Sequence, residues 1–228
     1  MKIIFNNYIS FPVELLKSHL KKKKKTIHSH SFKDNHEILN VFDKALERTI
    51  KILKPYAVCF STKYETNKKN CILTDNGIHF KIGNKIAEIF MLSDLLIGGI
   101  ITCGIDAKNV IKDTFDDDCY AEWLTHYILS ESLEKIADSF LSDFEKKCFP
   151  DKIYFSKRFS PGYCGWNIKE QKKIFLQIKD NQSIIKISKS GVLSPLKSIS
   201  FMICVSENEK IKNMNCCALC NAECAYRR

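Results

Sequence analysis

KRFSPGYCGW, residues 157–166, gathers residue types that are scarce elsewhere in the chain. The 228 residues include only 8 Gly, 5 Pro and 2 Trp, yet this stretch holds two Gly, one Pro and one Trp. Pro161 fixes one backbone dihedral and Gly162 frees the next, so the chain is expected to turn sharply between Ser160 and Tyr163. Arg158 carries a planar fork of donors suited to a carboxylate or phosphate. Tyr163 and Trp166 offer faces for a flat ring or a cation. A carboxylate reader, an open glycyl backbone and an aromatic face together suit a zwitterionic nucleoside such as S-adenosylmethionine. The same residues also suit a plain turn whose aromatics pack on a core, and spacing alone leaves both readings open.

Working outward, the acidic turn Asp116-Asp117-Asp118 precedes the longest helix expected, residues 120–147. Acidic groups there satisfy free N–H groups and suit the helix dipole, a role favoured over metal binding. Apolar residues at helical spacing also predict helices over 12–20, 35–53, 84–91 and 107–112, and Asn167 starts another that runs to about Ile178. Strands are expected over 56–64, 95–103, 185–193 and 198–205, with a hairpin of 71–74 and 78–81 around Asp75-Asn76-Gly77. The sum is an α+β chain, a single domain with a largely antiparallel twisted sheet and flanking helices. An N-terminal helical segment (1–54) leads into the main domain (55–210), and a Cys-rich tail (211–228) follows.

The net charge of +10 at first suggests a polyanion partner, but Lys scattered along the chain supplies nearly all of it. A nucleic-acid groove favours Arg interleaved with aromatics, so no nucleic-acid partner is expected. The run Lys21–Lys25 reads as a solvated loop after a short helix, with contact to an anionic partner as the lesser reading. The longest apolar run, LLIGGIITC (95–103), is too short to cross a membrane and reads as a buried strand. MKIIFNNY opens without a long apolar secretory segment. With 11 Cys and no such segment, a reducing, cytoplasmic compartment is expected, with thiols buried, metal-bound or redox-active. Cys217, Cys220 and Cys224 have a spacing able to hold Zn or an iron–sulfur cluster. Cys204, Cys164 or a partner's residue would then be the fourth ligand, while a redox-active or merely flexible tail is the other reading.

Arg158-Phe159-Ser160-Pro161-Gly162-Tyr163, then Gly165-Trp166 and Glu170-Gln171, resembles the R-x-S-P-G-Y segment of the activation domain of cobalamin-dependent methionine synthase. Pro195-Leu196-Lys197-Ser198-Ile199-Ser200 resembles the P-x-K-S-V-S segment that follows it in that family, in the same order and at similar spacing. Residues 100–111 and the long helix resemble the core of short, free-standing members. The likeness runs from about Pro55 onward and implies the activation-domain fold. It also implies S-adenosylmethionine binding, with Arg158 on the methionine carboxylate and backbone groups at Ser160, Gly162 and Tyr163 on the adenosyl part. Asp138, on the long helix, would pair with the amino group or the sulfonium. Full-length members carry a Tyr where this chain has Ile203, and the family's N-terminal Asp contact has no counterpart here.

The family's domain hands a methyl group to cobalamin during reductive reactivation. This sequence has no D-x-H-x-x-G cobalamin-ligating motif and no room for homocysteine, folate and cobalamin modules. The resemblance therefore implies a reactivation subunit, a methyltransferase component. Its partners would be a cobalamin-binding methionine synthase or other corrinoid protein and a flavodoxin-like reductant. The competing expectation is a non-catalytic assembly or chaperone module for a corrinoid methyltransferase, with a decayed ligand site.

Overall fold

The computed structural model describes residues 2–31, 36–66, 71–93, 95–111, 118–149, 152–178 and 184–215. Its centre is β5 (Leu95–Thr102), the LLIGGIIT run, buried on both faces. It pairs antiparallel with β2 (Tyr56–Thr66) on one side and β9 (Ser198–Ser206) on the other. The two glycines explain why this strand sits in the middle. A Cβ on Gly98 would lie 2.4 Å from the Phe60 ring, and one on Gly99 would lie 3.0 Å from the Phe201 ring. Each missing side chain makes room for an aromatic ring of a neighbouring strand, one on each face of the sheet.

The sheet has seven strands in the order β4-β3-β2-β5-β9-β6, with β1 also on β2. β3 (Cys71–Thr74) and β4 (His79–Lys81) form the expected hairpin, with Gly77 at φ +80. β6 (Tyr154–Phe155) pairs with β9, and the chain stays on that edge as far as Phe159, which exchanges backbone hydrogen bonds of 2.9 and 2.8 Å with Met202. All pairings are antiparallel.

One face carries α5 (Cys119–Cys148), whose Leu133, Ile136, Ala137 and Phe140 pack on Cys59, Ile97, Phe201 and Ile203. Asp118 caps this helix, accepting from the N–H groups of Tyr120 and Ala121 at 2.8 and 3.3 Å; Asp116 and Asp117 lie outside the described residues. α4 (Ala107–Ile111) joins the same layer. Outside it, α1 (Val13–Ser31) and α2 (His36–Ile52) form a helical layer with α5 through Leu16, Leu20, Phe42, Leu46, Leu124 and Ile128. The opposite face is covered by α3 (Asn84–Phe90) and α6 (Gln171–Gln177), with Phe159 and Trp166 between them and the strands. The helix expected from Asn167 begins as a 3-10 turn, Ile168–Glu170, capped by the Asn167 side chain, and continues as α6.

Three expectations need correction. Residues 1–54 are not only helical, because β1 (Lys2–Tyr8) pairs with β2 at the sheet edge. Lys21–Lys25 is not a loop but part of α1, where Lys23 reaches Glu131 and Lys24 reaches Asp43. Lysine favours helix, and those carboxylates offset the crowding of like charges. Residues 185–193 do not form one strand. Gly191, at φ +92, folds them into a separate ribbon of β7 (Lys186–Ile187) and β8 (Leu193–Ser194). Among the described residues no helix is long and apolar enough to cross a membrane.

The packing on β5 gives a direct test. Gly98→Ala places a methyl group inside the Phe60 ring and is expected to lower unfolding stability by about 1–3 kcal/mol in urea titration. Adding Phe60→Leu should recover part of the loss, whereas equal loss in single and double variants would contradict the packing described.

Candidate functional site

The 157–166 segment leaves the sheet edge at Phe159 and folds into a tight turn. The Gly162 N–H donates to the Trp166 carbonyl at 2.7 Å, Tyr163 N–H to Ser160 at 3.3 Å and Trp166 N–H to Tyr163 at 2.9 Å. Gly162, Cys164 and Gly165 all have positive φ, +99°, +50° and +79°. The turn rests on Gly83, where a Cβ would come 2.3 Å from the Cys164 carbonyl oxygen. Glu170 fastens it further by accepting from the Lys81 N–H at 2.9 Å. Of the aromatics singled out by sequence, Trp166 is core, while Tyr163 is exposed.

Phe159 and Arg158 diverge. Phe159 turns into the layer beneath α3 and α6. The Arg158 side chain reaches α5, where its Nη2 donates to Glu134 Oε2 and to Asp138 Oδ1, both at 2.7 Å. Glu134 and Asp138 stand four residues apart, one helical turn, so they lie on one face. Arg158 and Asp138 are thus brought together, with Glu134 as a third member that sequence reading passed over. Its i, i+4 spacing from Asp138 was a visible signal, but only the tertiary fold shows that this face meets Arg158.

One turn earlier on the same stripe stands Ser130. Lys197, from the P-L-K-S-I-S segment, donates to its Oγ at 2.8 Å, and Ser130 Oγ in turn donates to the His126 carbonyl. Lys197 is well fixed: its carbonyl accepts from Cys103 N–H and Thr102 Oγ1, and Asp106 accepts from the neighbouring Leu196 N–H. Burial pulls the Lys197 ammonium below the ordinary lysine range, because desolvation disfavours its charge; the nearby Cys103 opposes this weakly. Both segments carrying the family resemblance thus place a cation on one stripe of α5.

The turn's own donors are less available than its sequence suggests. The Gly162 and Tyr163 N–H groups are engaged inside the turn and so are not open to a ligand, whereas the Tyr163 ring is exposed. Ile203 is buried in the apolar layer under α5 and offers no polar contact.

The cysteine expectations divide. Cys59, Cys103 and Cys204 are buried free thiols, with burial raising each, that of Cys103 to about 12. Cys164 is disulfide-bonded, so at this position the expectation of an unpaired thiol does not hold, and Cys204 is enclosed in the core near the Tyr64 hydroxyl. Cys217, Cys220 and Cys224 lie outside the described residues. Among the described residues no group of three or more His, Cys, Asp or Glu is placed to hold a metal ion.

No protein-family model matches this sequence, and no curated protein matches it. Solved structures do match. One is the crystal structure of the MetH reactivation domain bound to AdoHcy, with a TM-score of 0.57 and 13% identity over 88% of this chain and 78% of that one. At that identity the likeness establishes the fold, an α+β architecture shared with a reactivation domain.

Lys197 supplies a measurable consequence. In the folded chain it binds its proton less tightly than when unfolded, so its charge costs stability at neutral pH. That cost fades as the pH rises toward the ordinary lysine value. After reductive ¹³C-methylation, its N-methyl resonance should titrate below those of exposed lysines, and Lys197→Met should remove that resonance. A midpoint equal to the exposed set would contradict its burial against Ser130.

Proposed function

We propose that this chain binds S-adenosylmethionine and serves the reductive reactivation of a corrinoid held by a partner protein. The observation that supports this best is the meeting of Arg158, from the R-F-S-P-G-Y segment, with Glu134 and Asp138 on α5, in a fold shared with a domain bound to AdoHcy.

The residues present fit such a ligand. Its amino-acid end carries one carboxylate and one ammonium, and Arg158 beside Asp138 offers one partner for each. The exposed ring of Tyr163 presents a face for adenine or for the sulfonium. When bound, S-adenosylmethionine would supply the methyl group of its sulfonium to a corrinoid held by the partner and reduced by a flavodoxin-like protein, and S-adenosylhomocysteine would be the leaving group. The residues of this chain orient the donor; the site calls for no acid or base from the protein, because the sulfonium is already a good leaving group. Glu134 keeps the guanidinium on α5, and the internally bonded turn fixes the backbone that carries Tyr163.

A second reading, a non-catalytic assembly module for a corrinoid methyltransferase, draws on Ile203, whose buried apolar side chain gives a ligand no polar contact. Calorimetry separates the two. The first reading expects saturable heat with S-adenosylmethionine, and an affinity about 10–100-fold weaker for Arg158→Ala, the effect of losing charge-assisted hydrogen bonds. No heat with the wild-type chain would leave only the second.

A further inference from the structure

The two hydrogen bonds from Arg158 come from the same nitrogen, Nη2. That nitrogen has two N–H bonds, one on the edge shared with Nε and one on the edge shared with Nη1. A carboxylate clasps a guanidinium along one of these edges. Glu134 and Asp138 therefore each hold a position on one of the two clasping edges, and a ligand carboxylate has to displace one of them.

The two carboxylates are unequal. Glu134 is 28% exposed and Asp138 62%, while Arg158 itself is 13% exposed. Exposed ion pairs are weak because water competes for both partners, so Asp138 is the one that can be released. The cluster also carries two negative charges against one positive, which draws a cation toward its solvent side.

We infer that Asp138 occupies on ligand-free Arg158 the place of the donor's own carboxylate, and passes to the donor's ammonium when the amino-acid end enters. The inference rests on the reading of this site as an S-adenosylmethionine site. The exchange replaces one internal ion pair with two intermolecular ones. Glu134 stays on Arg158 throughout and holds the guanidinium in position. A ligand with a carboxylate but no ammonium gains nothing from the released Asp138 and is repelled by it. The exchange thus selects for an intact amino-acid end, a property that Arg158 alone would not give.

Asp138→Asn tests this through a reversal of sign. Three ligands are titrated by calorimetry into the wild-type chain and the variant: S-adenosylhomocysteine, its des-amino analogue and 5′-methylthioadenosine, which lacks the amino-acid end. The variant is expected to bind S-adenosylhomocysteine about tenfold more weakly and the des-amino analogue several-fold more tightly, with 5′-methylthioadenosine unchanged. A merely structural role for Asp138 would weaken all three in parallel, and that result, with wild-type binding intact, overturns the exchange while leaving the proposed function standing. Absence of S-adenosylhomocysteine binding by the wild-type chain overturns both. Melting temperatures of the two proteins, expected to agree closely, guard against a folding defect, and Glu134→Gln, expected to weaken S-adenosylhomocysteine and its des-amino analogue alike, supplies the contrasting pattern.

Discussion

The candidate site depends on one stripe of α5. Ser130, Glu134 and Asp138 recur every fourth residue, and two cations from distant parts of the sequence are held there, Lys197 and Arg158. The stripe exists because the opposite face of the same helix is apolar and fixed on the sheet by Leu133, Ile136, Ala137 and Phe140. The core thus sets the rotation of α5, and that rotation decides which carboxylates meet the guanidinium. Arg158 is positioned from the other side by the β9 edge, where Phe159 pairs with Met202 and anchors the neighbouring backbone.

Much of the architecture was legible in sequence. The long helix, the β5 run and the Asp75-Asn76-Gly77 hairpin emerged from periodicity and turn chemistry, which are local signals. β1 did not, because its pairing with β2 is set by residues about fifty positions away and its short run gives little alternation. The lysine run was misread because its charge suggested solvent, whereas Glu131 and Asp43, remote in sequence, give two of its members partners within a helix. At the site, Arg158 and Asp138 could be named from the motif and the resemblance. Glu134 could not, since the carboxylate that faces the motif depends on how the helix is rotated on the sheet. The turn's conformation was legible from Pro161 and Gly162, but the internal use of its N–H groups depends on Trp166 returning to close it.

Ile203 belongs to the apolar layer, and the Gly162, Tyr163 and Trp166 amides close the turn, so in the proposed site polar recognition falls mainly to the Arg158 cluster. Under the proposed function, a ligand held mainly by its amino-acid end would suit delivery of its methyl group to a second protein.

The most direct measurement is a crystal structure of this chain soaked with S-adenosylhomocysteine. The expected density places the ligand's carboxylate on Arg158, its ammonium on Asp138 and its adenosyl group against Tyr163, with Glu134 still bonded to the guanidinium. Ligand bound at another surface, or full occupancy with the Arg158–Asp138 contact unchanged, would contradict the assignment of this cluster as the binding site.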